Sequence, residues 1–201
     1  MKEKKMADDR RRNSLFDALC ADGLIVLEEE RTVYINAPVT AAMSAFFNLA
    51  LLKMEKADRE GDITVYINSP GGEVTAGLSM VDTMDTVSCP VSTVCVGQAS
   101  SMGAVILMCG TKGRRRILPH SYVLIHQILA GLGEGLRKAS DIEAFASVIS
   151  RRKKEMTELI ASRTGQSPEK VENDLESDYT LSSLDALNYG IVDEIVGEHR
   201  E

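Results

Sequence analysis

Ser101 lies in a segment whose small residues could expose a nucleophilic hydroxyl. The segment Ala99-Ser100-Ser101-Met102-Gly103 follows the β-branched run Val91 to Val96 and precedes an apolar, helix-like run. A serine nucleophile at a strand-to-helix turn needs small residues two positions to either side, because the chain turns sharply there. The same pattern is typical of a strand–helix packing turn without chemistry. Ser100 is a competing nucleophile, although the residues two positions from it are larger.

A nucleophilic serine needs a base, and the chain has three histidines. His126 ends the apolar run Tyr122-Val123-Leu124-Ile125, and α/β folds present catalytic groups at the carboxyl ends of their strands. His120 follows a proline in a predicted turn, and His199 lies in the polar C-terminal tail. These contexts favour His126 as the base, with a core or edge histidine without chemistry as the other interpretation.

The base in turn needs a carboxylate that holds its tautomer and stabilises the imidazolium. Aspartate and glutamate total 30, so spacing alone does not choose among them. Asp178 is a candidate because it lies between two predicted helices, in Ser177-Asp178-Tyr179-Thr180, and not on a helix face.

A glycine pair could supply the fourth part of such a site, an oxyanion hole. Ser69-Pro70-Gly71-Gly72 follows a predicted strand and leads into a predicted helix. Paired glycines let the backbone approach a substrate closely and present N–H groups to a developing negative charge. A phosphate loop is conceivable here, but neither GxGxxG nor a Walker lysine accompanies it, so nucleotide binding is not expected.

Alternating strand-like and helix-like segments predict an α/β fold that positions these residues. The predicted strands span 32–36, 62–68, 91–96, 116–118, 122–125 and 191–196. The predicted helices follow Thr40, run over 75–87, follow Gly103, run over 139–163, begin at Ser167-Pro168 and follow Ser183.

The length, charge and apolar runs of the chain limit the classes of protein to which it can belong. The chain has 201 residues, which predicts a single domain over 1–201, and its net charge of -7 argues against nucleic-acid binding. We expect the runs Arg10-Arg11-Arg12 and Arg114-Arg115-Arg116 to be solvated or subunit-contact charges. The longest apolar run, Ala104 to Met108, is too short to span a membrane, and the charged segment 1–13 lacks the apolar region of a signal peptide.

The four cysteines form neither a CxxC pair nor a metal-ligand spacing with the histidines. Cys95 and Cys109 lie in apolar stretches, which predicts that they are small core residues. The pattern predicts no metal site and no disulfide framework, and favours a cytoplasmic protein.

Taken together, these segments resemble the proteolytic subunit of the Clp (caseinolytic) protease family. The resemblance covers about 62–196, in the family's order and spacing. The residues that carry it are Tyr66-Ile67-Asn68-Ser69-Pro70-Gly71-Gly72, Gly97-Gln98-Ala99-Ser100-Ser101-Met102-Gly103, Leu124-Ile125-His126-Gln127, Asp178 with Leu181-Ser182, and Tyr189-Gly190-Ile191-Val192-Asp193.

The resemblance implies a role for each candidate residue. Ser101 matches the family's nucleophile, His126 its general base and Asp178 the acid that orients the base. The backbone N–H groups of Gly71 and Met102 match its oxyanion hole. The implied reaction is acyl transfer to Ser101 followed by hydrolysis, with no cofactor and no metal.

The resemblance also implies the fold and the assembly. The family's fold is a crotonase-like α/β spiral of ββα units with a protruding helix–strand handle, which corresponds to 128–164 here. Family members stack two heptameric rings of identical subunits into a hollow tetradecamer, which receives peptides and unfolded proteins from a hexameric AAA+ unfoldase. A cytoplasmic homo-oligomer of this type is therefore expected.

Several positions depart from the family's pattern. The charged arm 1–13 replaces the apolar segment that forms the axial gate in family members. Thr64, Thr86 and Arg116 stand where bulky apolar groups line the pocket that docks the unfoldase, whereas Tyr66 is kept. These departures predict a divergent paralogue with altered docking.

Two other functions stay open at the level of sequence. A structural or regulatory paralogue would co-assemble with another proteolytic subunit, although such proteins usually lose a triad residue and all three are present here. A crotonase-superfamily acyl-CoA enzyme would share the fold and an oxyanion hole, but it gives no reason for Ser101 and His126 to be in register.

Overall fold

The computed structural model describes residues 23–131, 136 and 138–197 of the chain. These residues form eight strands and six helices. The strands are β1 (Leu24–Leu27), β2 (Thr32–Ile35), β3 (Ile63–Ser69), β4 (Val91–Ser100), β5 (Arg115–Ile117), β6 (Tyr122–Ile125), β7 (Tyr179–Ser182) and β8 (Glu194–Ile195). The helices are α1 (Ala41–Ala57), α2 (Val74–Thr86), α3 (Met102–Met108), α4 (Ala139–Thr164), α5 (Pro168–Asp174) and α6 (Ser183–Tyr189).

The strands form one mixed sheet in the order β1-β2-β3-β4-β5-β8, with β6 pairing to β4 and β7 pairing to β6. The ladders from β2 through β5 to β8 are parallel, and so is the β4–β6 ladder. The β1–β2 and β6–β7 pairs are antiparallel. A mostly parallel sheet with intervening helices brings the carboxyl ends of its strands to one edge, where α/β proteins place their sites.

Strand β4 changes partners along its length. Its first half pairs with β5 at Thr93 to Cys95, and its second half pairs with β6 at Gln98 to Ser100. Gly97 lies between the two halves with a φ of 83°, a conformation that favours glycine. Because Ser69 pairs with Ala99, the loop after β3 lies beside the turn that follows β4.

Burial of apolar side chains explains why β4, α1 and α3 form at these positions in the sequence. The first half of β4 is continuously buried, as expected of a central parallel strand. Helix α1 buries the stripe Met43, Phe47, Leu51 and Met54, and the Thr40 side chain caps its first turn by accepting from the Met43 N–H. All seven residues of α3 are buried, so the helix after Ser101 lies inside the protein.

The expected α/β fold is confirmed, including the long charged helix of the handle, which ends at Gly165 in the left-handed conformation. The last strand is shorter than predicted, because only Glu194–Ile195 pairs with β5. Strands β1 and β7 were not predicted from sequence. Residues 128–131 form no strand, and the remaining residues before the handle helix lie largely outside the described part of the chain.

The prediction that all of Arg114-Arg115-Arg116 is solvated or in subunit contacts is wrong for Arg115. Its side chain is 5% exposed and forms an ion pair with Asp193 at 2.5 Å. It also donates to the Arg163 carbonyl at 2.8 Å, which joins the sheet edge to the end of α4. Burial acts to raise the pKa of Asp193, but hydrogen bonds from the Arg115 side chain and backbone outweigh it and hold that pKa below its usual range.

Cys89, Cys95 and Cys109 are buried free thiols, which confirms the expected core positions of Cys95 and Cys109. Burial raises the pKa of both Cys95 and Cys109 to about 12, so neither is a reactive thiolate. Across the described ranges, no helix is both long enough and apolar enough to cross a membrane.

Candidate active site

Ser101 occupies a strained turn between β4 and α3. Its φ of 53° and ψ of -121° are unfavourable for a residue with a side chain. The Ser101 N–H donates to the Leu124 carbonyl of β6 at 2.8 Å, which fixes the turn against the neighbouring strand. The geometry is that of a nucleophile elbow, in which the serine side chain stands clear of the backbone.

The chain at Gly71 packs directly against this elbow. A Cβ added at Gly71 would lie 2.6 Å from the Ser101 Cβ and 2.7 Å from the Ser100 carbonyl oxygen, closer than real contacts allow. Gly71 also has a φ of 95°. The glycine is therefore required by both its conformation and its surroundings.

The amides near Ser101 differ in their hydrogen bonding. The Gly71 N–H donates to the Ser69 Oγ at 3.2 Å, so its proton is already engaged within the loop. The N–H groups of Gly72 and Met102 have no acceptor in the part of the chain that the structure describes. Gly72 also lines the cavity beside Ser101, whereas Gly71 does not. The arrangement therefore favours Gly72 in place of the expected Gly71 as an oxyanion donor, and leaves Met102 available.

His126 lies one residue beyond the end of β6 and lines the same cavity as Ser101. Its Nδ1 lies 2.5 Å from the Gln127 carbonyl oxygen. Because a carbonyl only accepts, Nδ1 is the donor in this contact, and the neutral imidazole with this tautomer carries its lone pair on Nε2, as a general base requires. His120 is exposed in the turn before β6, and His199 lies outside the described residues.

The structure brings Asp178 to the position facing His126 without joining the two. In the β6–β7 ladder Ile125 pairs with Tyr179, so one further step sets His126 opposite Asp178. The Asp178 side chain is exposed and forms no hydrogen bond or ion pair within the described ranges. Neither the Ser101–His126 nor the His126–Asp178 hydrogen bond of the expected relay is formed among the described residues, since the His126 ring contacts the Gln127 carbonyl.

Beside Ser101 lies a cavity of about 240 Å³. Ser101, His126 and Gly72 line this cavity, and most of its other lining residues are apolar. The apolar wall is formed by Val74, Met102, Val105, Ile125, Met156 and Ile160. Such a wall suits an apolar side chain of a substrate bound next to the serine.

Two residues of the handle helix α4 line the cavity beside Ser101 and were not predicted from the sequence. Met156 and Ile160 are buried, at 7% and 2% exposure, in a helix that is otherwise mostly exposed. Their spacing of one helical turn was the available signal, because it marks an apolar stripe within a charged sequence. Among the described residues, no group of three or more His, Cys, Asp or Glu side chains is arranged to hold a metal ion.

A serine at a strained strand-to-helix turn, a histidine at a strand end and amides without acceptors among the described residues are features that serine-hydrolase sites on α/β folds have in common. A family model described as Clp protease matches residues 17–199. Because this match spans most of the chain, the chain belongs to the Clp protease family, whose members are peptidases.

Proposed function

We propose that the protein is a serine endopeptidase that hydrolyses peptide bonds by acyl transfer through Ser101. The observation that carries the proposal is the strained elbow at Ser101, which opens into the same apolar cavity as His126 and the free Gly72 amide. Backbone strain of about 1–3 kcal/mol persists at a non-glycine residue only where the surroundings impose it, and such residues cluster at active sites.

In the proposed mechanism, the Ser101 Oγ attacks the peptide carbonyl while His126 Nε2 takes the hydroxyl proton. The resulting oxyanion accepts from the N–H groups of Met102 and Gly72. His126 then protonates the leaving amine, the C–N bond breaks, and an acyl-enzyme remains on Ser101. His126 takes a proton from water as the water oxygen attacks the acyl carbonyl. The new tetrahedral intermediate collapses, the bond from the acyl carbon to Oγ breaks, and His126 returns the proton to Ser101 Oγ as the carboxylic acid leaves.

We assign Asp178 the role of holding the protonated imidazole. Its position opposite His126 in the extended β6–β7 ladder supports the assignment. Closing the relay requires the imidazole to exchange its contact with the Gln127 carbonyl for one with the carboxylate. In apo structures catalytic hydrogen bonds are often long or unmade and form when substrate binds.

We further propose a cytoplasmic homo-oligomer of two heptameric rings whose chamber admits peptides and unfolded proteins, by analogy with the family.

The surface on which an AAA+ unfoldase would dock is partly charged in this protein. The strand registers align Tyr34, Tyr66, Val94, Arg116 and Glu194 in one row across the sheet. Tyr34 stacks on Tyr66 at 5.8 Å, and Arg116 lies 3.3 Å from Glu194. The charged end of this row supports a docking segment more polar than the family's usual one.

Hydrolysis of a fluorogenic peptide with an apolar residue before the cleaved bond tests the proposal. The wild-type oligomer is expected to hydrolyse it, and the Ser101→Ala and His126→Ala variants to lose activity by a factor of about 10³ or more. Ser183→Ala, an exchange in α6 outside the cavity, is the matched control and should retain full activity. Hydrolysis that persists in Ser101→Ala would contradict the proposal.

A further inference from the structure

Ser69 is a fully buried serine at the end of β3, with 0% of its surface exposed. Its hydroxyl donates to the Ala37 carbonyl at 2.8 Å and accepts from the Gly71 N–H at 3.2 Å. The side chain therefore joins the loop before α1 to the loop that carries the proposed oxyanion donor. No step of the acyl-transfer mechanism uses this hydroxyl.

The hydrogen bonds of the glycine pair fix the orientation of two successive peptide groups. The Ser69 hydroxyl holds the N–H of the Pro70–Gly71 peptide. The Gly71 carbonyl, in the next peptide, accepts from the Val39 N–H at 2.7 Å. In a trans peptide the N–H points opposite to the C=O, so the Gly72 N–H is directed away from Val39. Gly72 lines the cavity, which places its N–H on the side of the substrate.

The peptide groups next to Gly71 and Gly72 can rotate at small cost in conformational energy. Gly71 and Gly72 have φ values of 95° and 152°, and peptide groups between glycines can rotate at small steric cost. The Gly72 amide is therefore held in place by the hydrogen bonds to Ser69 and Val39, together with the bond from the Glu73 N–H to the Val39 carbonyl at 2.9 Å. Ser69 also supports the elbow, because a Cβ at Gly103, in the first turn of α3, would lie 3.3 Å from the Ser69 Cβ.

We propose that Ser69 is a positioning residue for transition-state stabilisation: its hydroxyl locks the Pro70–Gly71 peptide so that the next amide, that of Gly72, faces the oxyanion. This role rests on the proposed peptidase function. Loss of the hydroxyl leaves the donor in the chain but displaced, and a misplacement of about 1 Å at a reacting centre can lower a rate about 10²-fold. Complete loss of an oxyanion donor lowers it by about 10²–10³.

The test compares Ser69→Ala with Ser121→Ala. Ser121 is a matched control because it is also buried, at 5% exposure, accepts from the Gly97 N–H at 2.8 Å and donates to the Cys95 carbonyl at 3.3 Å. Ser69→Ala is expected to lower kcat for the fluorogenic peptide by roughly 10- to 100-fold with KM nearly unchanged. Ser121→Ala should lose comparable stability and keep its kcat.

A peptide aldehyde separates positioning from a general structural effect. The Ser101 oxygen adds to the aldehyde carbon, the C=O double bond opens, and the resulting hemiacetal oxygen takes the place of the oxyanion. In Ser69→Ala, affinity for the aldehyde should fall by the same factor as kcat/KM, while affinity for the corresponding peptide alcohol stays constant. Ser69→Cys, which is nearly isosteric but a weak hydrogen-bonding group, should show a smaller fall and serves if the alanine variant does not fold.

The possible outcomes distinguish failure of the Ser69 positioning role from failure of the proposed peptidase function. A wild-type enzyme that hydrolyses the peptide, with Ser69 variants that keep wild-type kcat and aldehyde affinity, would overturn the positioning role alone. Equal losses of kcat in Ser69→Ala and Ser121→Ala, or equal losses of aldehyde and alcohol affinity, would also overturn it. A wild-type oligomer without hydrolysis or aldehyde binding would overturn the proposed function and the positioning role together.

Discussion

Ser101 combines a reactive position with an unfavourable backbone conformation. At a φ of 53° the side chain is crowded by its own backbone, and only the contacts of β4, β6 and α3 hold it there. The hydroxyl and the strain are separable properties of this residue, because one depends on the side chain and the other on the presence of a Cβ.

Replacing Ser101 by glycine should therefore stabilise the fold relative to replacing it by alanine. Relief of about 1–3 kcal/mol of strain outweighs the 0.5–1 kcal/mol that glycine loses through its freer unfolded chain, so a difference of about 1 kcal/mol in unfolding free energy is expected. Denaturant unfolding of Ser101→Gly and Ser101→Ala at one protomer concentration measures it. A glycine variant that is no more stable than the alanine variant would show that the turn is unstrained.

Gly71 is limited by space as well as by conformation. A Cβ at Gly71 meets the Ser101 Cβ at 2.6 Å, whereas a Cβ at Gly113, which has a similar φ of 84°, meets nothing within 4 Å. Gly71→Ala is expected to displace the elbow and lower kcat/KM by about 10²-fold or more, while Gly113→Ala costs about 1 kcal/mol of stability and leaves the rate unchanged. Steady-state kinetics and thermal unfolding of the pair check this, and equal activity of the two variants would contradict it.

At the scale of secondary-structure elements, the antiparallel β6–β7 pair sets the proposed base, His126, and the proposed orienting acid, Asp178, at facing positions. The two strands are distant in sequence, and the Gln127 N–H adds a further bond to the Leu175 carbonyl at 2.9 Å. This ladder sets Asp178 beside His126 whether or not the imidazole currently turns toward it.

Asp178→Asn tests the role of that element. The amide cannot stabilise the imidazolium and favours the wrong tautomer, so kcat should fall by about 10³- to 10⁴-fold. Glu176→Gln is the matched control: it changes an exposed carboxylate in the same loop, which forms an ion pair with Lys153 at the surface. Peptide hydrolysis by Asp178→Asn at more than a tenth of the wild-type rate would exclude Asp178 as the orienting acid.

The sequence predicted elements well where local signals were strong and poorly where pairing decided the outcome. The Thr40 cap of α1 and the Gly165 end of α4 follow from local chemistry, and both boundaries were predicted. Strand β7 was missed because Tyr179-Thr180-Leu181-Ser182 is short and mostly exposed, and forms a strand only through its pairing with β6.

The site residues, too, could be predicted where local sequence signals exist and not where long-range contacts decide their geometry. The Ser101 and His126 positions follow from residue types at strand ends, and both lie at the cavity. The choice between Gly71 and Gly72 as oxyanion donor depends on which peptide N–H the Ser69 hydroxyl takes, and no sequence pattern specifies the rotation of a peptide group. The wall from α4 likewise depends on how the handle helix packs on α3.

At the scale of the whole molecule, the Arg115–Asp193 pair joins the sheet edge, the C-terminal segment and the handle helix. The Asp193 carboxylate also accepts from the Gly113 N–H at 2.8 Å. Nothing in a run of three arginines indicated that the middle one is buried, since its partner lies 78 residues away. By contrast, the neighbouring Arg114–Asp62 pair is about two-fifths exposed on both sides.

Removal of the buried pair should destabilise the protein far more than removal of the exposed one. Asp193→Asn is expected to lower the unfolding free energy at pH 7 by about 3 kcal/mol, because the Arg115 charge stays buried without its counter-ion. Asp62→Asn should cost less than about 1 kcal/mol. Denaturant unfolding of the two variants and the wild type checks this.

The pH dependence of the Asp193 effect follows from the lowered pKa of that carboxylate. A depressed folded-state pKa gives stability that is present above the unfolded-state pKa, about 3.9, and that is lost as the pH falls through the folded-state value. The gap between wild type and Asp193→Asn should therefore be constant at neutral pH and shrink below about pH 4. A gap that persists unchanged into stronger acid would contradict the ion pair's role.

We propose that the Ser101 hydroxyl is an activated nucleophile, and covalent labelling of the protein can show whether it is. A fluorophosphonate probe reacts with such a serine by forming an Oγ–P bond and releasing fluoride, and peptide mass spectrometry locates the adduct. We expect a single adduct on Ser101 of the native protein, absent in Ser101→Ala and strongly slowed in His126→Ala. A native protein that stays unlabelled, or a label that remains in Ser101→Ala, would contradict this role of Ser101.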